Sequence, residues 1–403
     1  MFLYEDCKLK GVNPTDYPTA FIITVAVILG ALVGSFTNVL IYRIPRSESI
    51  AFPPSHCPKC DHQLSPLDLV PVLSWVSLGG KCRYCKAPIS SQYPIIESIS
   101  ALGYGLLAYF FPLQDVGPSL LGLFFFFTVL LAISVIDLQT YTIPDSLSLV
   151  GLLVGLGFSW VNQTQGGYFF QLPGLKDAFT AALYGAGILT LVGNFGSYLL
   201  RRFKEAKYPS TPIDYQTLSL GALVGLWFGP WWAAGAVMLA MLVNLAARRY
   251  IRIPDFITLP GILISLGVKV YLGMDANLIN TILVSLQNLL AGAGIAALIA
   301  GFYWWLAPEP EDDIPEEDYD PIAMGFGDVK LLAMIGAFVG ISNVFVSLVL
   351  AIVAGAVLGI LIFAITRNRK IKFGPFLAIG GFVALIYGPA LTDWYTGMLL
   401  GGM

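Results

Sequence analysis

An apolar run long enough, or nearly long enough, to cross a bilayer recurs along the chain. The runs cover 18–42, 94–112, 118–136, 146–162, 176–200, 216–228, 231–247, 256–273, 281–306, 329–341, 344–366 and 374–398. A hydrocarbon core of about 30 Å takes roughly 20 apolar residues as helix, because backbone groups without water must bond within their own segment. The pattern predicts an all-α polytopic membrane protein of about twelve transmembrane helices with the lipid bilayer as its surroundings. Composition agrees: 57% of the 403 residues are hydrophobic and 12% charged, and mean hydropathy is +0.76. A soluble domain carries about a quarter charged residues, so a cytosolic enzyme, a disordered tail and a fibre are excluded. A net charge of −3 argues against nucleic acid as a partner. Two runs, 216–228 and 329–341, are short, with Gly229-Pro230 and Gly340 marking their turns. The first run lacks a basic leader and is too long for a cleaved signal peptide.

Lysine and arginine set the orientation. With 43–93 in the cytoplasm, 18 of the 22 basic residues fall on that side, and only Lys8, Lys10, Lys176 and Lys269 lie opposite.

The segment 43–93 contains Cys57-Pro-Lys-Cys60 and Cys82-Arg-Tyr-Cys85. Two residues between cysteines let both sulfurs face one ion while turn N–H groups donate to them. Two such knuckles supply the tetrahedral four-sulfur set of structural zinc. Two disulfides or a redox pair compete with this reading, but cytoplasmic thiols stay reduced. A loop this short also builds little core without a metal. His56 and His62 read as exposed loop residues, since four sulfurs already fill the site, and Cys7 stands outside the pattern.

Carboxylates at membrane edges are costly unless they serve something. Asp137 closes the third run at a helix C-terminus, where a carboxylate is disfavoured. Asp145, after Pro144, suits a helix N-terminus. Asp328 stands in Gly325-Phe-Gly-Asp328 on the same side. Two carboxylates sharing a site divide their roles, one protonated as acid and one ionised as base on a water.

These residues match a known pattern. Gly34-Ser-Phe-Thr-Asn-Val-Leu-Ile-Tyr-Arg43, the four cysteines, Tyr93-Pro-Ile-Ile-Glu97, Ile136-Asp137 through Pro144-Asp145, Gly325-Phe-Gly-Asp328-Val-Lys-Leu-Leu and Phe373-Gly-Pro-Phe-Leu-Ala378 occur in order over about 30–390. The sequence resembles the type IV prepilin peptidases, G-x-G-D intramembrane aspartyl proteases. The resemblance implies a bifunctional bacterial inner-membrane enzyme with its active site facing the cytoplasm. Such an enzyme cuts the basic leader from prepilins or pseudopilins and methylates the new N-terminus with S-adenosylmethionine. It maps the catalytic pair to Asp137 and Asp328 and associates the zinc-binding cysteine segment, Cys57, Cys60, Cys82 and Cys85, with methylation. Gly79-Gly80-Lys81 beside the second knuckle is a candidate contact for the methyl donor or a plain turn.

Asp137 and Asp328 stand 191 residues apart, where the resemblance implies a separation of about one helical pair, and the excess has a source. Residues 136–162 resemble 246–270, with the Ile-Pro-Asp strings at Asp145 and Asp255 offset by 110, and Pro212-Ile-Asp214 echoes Gly325-Phe-Gly-Asp328. A four-helix unit read twice accounts for this. The second copy has Ala247 where the first has Asp137, and the first lacks the glycines before Asp214. One composite site, Asp137 with Asp328, is the expectation, and Asp137 with Asp214 is its rival. The division is then a first helix over 18–42, a zinc segment over 43–93, a bundle over 94–245 carrying Asp137, and a bundle over 246–403 carrying Asp328. The acidic run 308–321 precedes Asp328 and reads as a solvated linker or as a lure for basic leaders. A transporter with internal repeats and a degenerate pilin-binding paralogue are the competing functions. Even-numbered copies keep their orientation, unlike the inverted repeats of many transporters.

Overall fold

Each apolar run becomes a helix in the computed structural model, which describes residues 18–164, 172–201, 212–247, 253–273, 278–307, 324–366 and 372–400. The helices are α1 (Thr19–Arg43), the one-turn α2 (Leu73–Ser77), α3 (Gln92–Phe110), the one-turn α4 (Leu113–Val116), α5 (Ser119–Thr140), α6 (Asp145–Thr164) and α7 (Leu175–Arg201). They continue as α8 (Tyr215–Phe228), α9 (Pro230–Ala247), α10 (Asp255–Leu272), α11 (Leu278–Leu306), α12 (Phe326–Val339), α13 (Ile341–Thr366) and α14 (Gly374–Leu400). Among the described residues eight helices are long and apolar enough to cross a membrane, and Gln216–Phe228 and Phe256–Leu272 are shorter apolar helices. Cys7, the basic clusters at 202–207, 248–252 and 367–370, and the acidic run 308–321 lie outside the described residues.

The chain divides into two compact units. The first holds the residues up to Thr140 together with Trp160–Leu172, and the second holds Tyr141–Ser159 and the chain from Pro173. In the first, α1 and α3 run antiparallel at close range. A Cβ at Gly30 would meet the Ser100 carbonyl at 2.6 Å, and one at Gly34 would meet the Glu97 Cα at 2.8 Å. One step further, the Asn38 amide donates to the Tyr93 carbonyl at 3.2 Å. Small residues let two membrane helices approach backbone to backbone, where packing replaces the absent hydrophobic drive.

The second unit contains a correspondence. Its two short helices, α8 and α12, have 14 residues each. Both end at a glycine in the left-handed region, Gly229 at φ +89° and Gly340 at φ +83°, and a helix restarts at the next residue. Any other residue would be strained there. Each short helix packs against a long helix distant in the chain: α8 lies along α11 and α12 along α7. The contacts match residue for residue. A Cβ at Gly225 of α8 would meet the Asn288 carbonyl of α11 at 2.9 Å, and one at Gly336 of α12 would meet the Ala181 carbonyl of α7 at 2.6 Å. Where α7 and α11 cross, Gly187 faces the Leu290 carbonyl and Gly294 faces the Leu183 carbonyl, with no room for a side chain at either.

Candidate functional site: a four-cysteine module and an aspartate-bearing turn

The four cysteines converge. Their sulfurs lie within 4.8 Å of one another, and Cys57 Sγ stands 3.8 Å from Cys85 Sγ. A tetrahedron with Zn–S arms of about 2.3 Å has edges of about 3.8 Å, so the donor set fits zinc and the thiols are not paired as disulfides. The two knuckles share one backbone pattern. Cys57 donates its N–H to the His62 carbonyl at 3.0 Å and Cys82 donates to Ala87 at 2.8 Å. The residue after each second cysteine, Asp61 and Lys86, takes positive φ. Backbone N–H groups of Cys85 and Tyr84 hold the Cys82 thiol down to about 7, favouring the thiolate that binds metal. His56 is exposed, and the His62 ring lies on Tyr84 with centroids 3.6 Å apart. Gly79 and Gly80 form a left-handed turn seated against Trp75. Backbone and Trp75 account for that turn, and no residue is assigned to the methyl donor.

Asp68 braces the second knuckle from outside the sulfur cage. Its carboxylate accepts from Arg83 Nε at 2.6 Å, Tyr84 Oη at 3.0 Å and Ser65 Oγ at 2.7 Å. Desolvation opposes ionisation, but Arg83, Ser65 and Tyr84 together hold the group well below the ordinary carboxylate range. A depressed folded value contributes stability above the unfolded pKa of about 4 and loses it as pH falls through the folded value. We expect Asp68→Asn to raise hydrogen exchange at the Arg83 and Tyr84 amides at neutral pH. The wild-type advantage should persist through pH about 4, and its disappearance by pH 5 would contradict the assignment.

Asp137 lies buried in the last turn of α5. Asp328 is half-buried in the first turn of α12, its N–H bonded to the Gly325 carbonyl at 3.2 Å. The two belong to different compact units. Within the second unit, the Tyr141–Asp145 string touches both the start of α12 and the segment that leads into α14. The Lys330 ammonium pairs with the Asp145 carboxylate. Gly327 lies so close to Ile143 that a Cβ would stand 2.7 Å from the isoleucine Cβ. The Lys372 ammonium sits 3.6 Å from the Tyr141 ring centroid, and Phe373 and Phe376 pack at Gly355 of α13. Thus Tyr141–Asp145, eight residues or fewer after Asp137, is bound to the Gly325–Lys330 turn. Asp214, by contrast, is the N-cap of α8. It accepts from the Thr217 N–H and hydroxyl, both at 2.9 Å.

Comparison with known proteins bears on both the cysteine module and the Gly325–Lys330 turn. Residues 28–111 match the family model described as Bacterial Peptidase A24 N-terminal domain, and 248–360 match Type IV leader peptidase family. A Prepilin leader peptidase/N-methyltransferase of Burkholderia pseudomallei is 35% identical over 260 residues, covering 57% of this chain and 76% of the relative. The chain belongs to the prepilin leader peptidase/N-methyltransferase family.

Another family member, from Stutzerimonas stutzeri, is 26% identical over 404 residues, covering 94% of each chain. A Type 4 prepilin-like proteins leader peptide-processing enzyme of Escherichia coli is 32% identical over 233 residues, 53% of this chain and 80% of the relative. No solved structure matches the chain. In this chain the N-terminal match contains all four cysteines, and the second contains Asp328, Lys330 and Asp255. Asp137 lies in neither, between them. Sequence reasoning took Asp145 as a helix-start acid and passed over Lys330. The signal was available: a lysine within the apolar run 329–341 is costly unless paired.

Proposed function

We propose that the protein removes the leader peptide of type IV prepilins or pseudopilins by a two-aspartate mechanism and N-methylates the exposed N-terminus. Family membership carries the reaction. The pairing that carries the choice of residues is Asp145 with Lys330. It ties the string that follows Asp137 to the turn that carries Asp328, across the two copies of the repeat. The other cross-pairing is the degenerate one: α10 packs on α8, and Asn244, one turn before Ala247, donates to the Pro212 carbonyl at 3.0 Å. There Ala247 stands where the first copy has an aspartate, and Asp214 is consumed in capping. The composite pair Asp137 and Asp328 is the reading this supports. One carboxyl would hold a proton for the leaving amine while the other draws a proton from the attacking water.

Cys57, Cys60, Cys82 and Cys85 would hold a structural zinc, and zinc would supply the cross-link that the module otherwise lacks. Methylation, with S-adenosylmethionine as donor, is the reading for this module. The basic bias of the loops supports an inner-membrane enzyme with both centres facing the cytoplasm.

The Asp145–Lys330 pair is testable apart from the chemistry. Lys330 is buried and Asp145 partly so. Removing one partner of a buried pair leaves an uncompensated charge, and here the cost is about 3 kcal/mol, the low end of the usual range. Asp145→Leu should lower the melting temperature in detergent, and Asp145→Leu with Lys330→Met should restore most of it. A double variant no more stable than the single one would show that the pair does not hold α12 in place. Cleavage of a prepilin peptide by purified protein, read as a new N-terminus and a methyl mass increment, tests the function itself.

A further inference from the structure

The cysteine module carries an apolar face that its own fold leaves open. Leu67, Leu73 and Val76 are 71%, 68% and 62% exposed, in the one-turn helices Pro66–Leu69 and α2. Leu69 and Val70 between them are also exposed. For a segment read as a polar loop this is a concentrated apolar surface, and such patches mark contact with a partner or a membrane.

Its height along the bundle is fixed by one bond. Val72 N–H donates to Glu97 Oε2 at 2.7 Å, and Glu97 is buried where α3 meets Gly34 of α1. From Gly34 to Arg43, the end of α1, the axis runs about 13 Å at roughly 1.5 Å per residue. The whole of α1, about 37 Å by the same rise, exceeds a hydrocarbon core of about 30 Å by only a few Å at each end. The Glu97 backbone therefore lies roughly 10 Å inside the core boundary on the Arg43 side. Its side chain leans back toward the α3 N-terminus, and this brings Val72 to the zone between headgroups and acyl chains.

The turn is built to stay there. Val72 has φ +60°, and the Leu73 N–H reaches the Pro71 carbonyl at 2.6 Å. This tight γ-type turn is strained for a β-branched residue and persists only when its surroundings hold it. Glu97 supplies that hold. The apolar face continues onto α3, where Ile95, Ile99 and Leu102 are exposed. The same module exposes Arg46, Lys81 and Lys86, which suit anionic headgroups.

We propose that Leu67–Val76 is a membrane-inserted turn, seated by Glu97, whose apolar side chains enter the leaflet on the Arg43 side and hold the cysteine module against the bilayer. It resembles an interfacial amphipathic element, which buries its apolar face about 5–10 Å below the headgroups. It needs neither the catalytic pair nor the zinc.

The test uses the full chain in nanodiscs of phosphatidylethanolamine and phosphatidylglycerol, with a benzophenone amino acid at Leu67, Leu73, Val76 or, as a control on the first knuckle, Lys59. On irradiation, lipid adducts should form at the first three positions and not at Lys59. Glu97→Leu should abolish most of the adduct at Leu73, whereas Glu97→Gln, which keeps an acceptor oxygen, should retain it. Three outcomes would overturn the proposal: no lipid adduct at any of the three positions, adducts diverted to an added prepilin peptide, or cross-links between two copies of the chain.

Discussion

Asp328→Asn and Asp137→Asn should each abolish leader cleavage, and Asp214→Asn should leave it near wild type. General acid–base catalysis by a positioned carboxyl contributes about 10²–10⁴-fold, and an amide can neither hold nor release the required proton. The two expected losses are therefore at least hundredfold by the same range. Asp214 makes the comparison decisive because its structural task is visible: its carboxylate caps α8 through Thr217. Asparagine caps about as well as aspartate, whereas alanine costs about 0.5–2 kcal/mol. Asp214→Ala should thus lower the melting temperature without abolishing cleavage. The readout is the new N-terminus on a prepilin peptide. Full cleavage by Asp328→Asn would sink the composite pair, and a dead Asp214→Asn would revive its rival, Asp137 with Asp214.

Much of this architecture was legible because membrane helices obey few rules. Length and apolarity gave all the long helices, and Gly229 and Gly340 marked the ends of the two short ones, where left-handed backbone selects glycine. The cysteine spacing gave the sulfur cluster, since two intervening residues leave little choice of geometry. Less legible was which copy packs on which. Packing of α8 on α11 and of α12 on α7 depends on glycines such as Gly225 and Gly336, whose value lies in contacts 63 and 155 residues away. Periodicity carries no such information. The ion pair of Asp145 with Lys330 was hidden for the same reason: Asp145 had a local explanation as a helix-start acid, and its partner lies 185 residues away. The apolar turn at Leu67–Val76 was masked by its polar neighbours, because hydropathy averaged over a segment cannot say which side chains the fold leaves open.

The proposed composite pair fits an exchange of helices. In a repeat whose halves pack independently, a surviving site would need one copy to keep both aspartates, whereas the proposed pair draws one from each. Here each Ile-Pro-Asp helix is matched with the short helix of the other copy: α6 with α12, through Asp145–Lys330 and Gly155–Phe338, and α10 with α8. On the proposed reading, Pro212-Ile213 before Asp214 and Ala247 fall together on one pairing, and Asp137 and Asp328 belong to the other.

The second large effect is expected from the cysteines. Between Ile44 and Ser91 the only buried hydrophobic residues are Cys57 and Cys82 themselves, so the module has no apolar core. What remains is the Asp68 network, Trp75 donating to the Ile89 carbonyl at 3.2 Å, Arg43 bonded to the Ser49 and Pro53 carbonyls, and Glu97 on Val72. Each such hydrogen bond contributes about 1 kcal/mol net, far less than the 10–16 kcal/mol of a structural zinc site. Cys82→Ser should therefore drop the bound zinc, measured by mass spectrometry of the purified protein, and open the module to trypsin at Lys81, Arg83 and Lys86. Methylation of a pre-cut peptide should fall with it. Leader cleavage should fall much less, because Asp137 and Asp328 stand on α5 and α12, outside the module. Equal loss of both activities with the zinc would mean that the module also positions the substrate for the aspartates. Unchanged trypsin resistance after complete zinc removal would mean that the hydrogen-bond network alone folds the module.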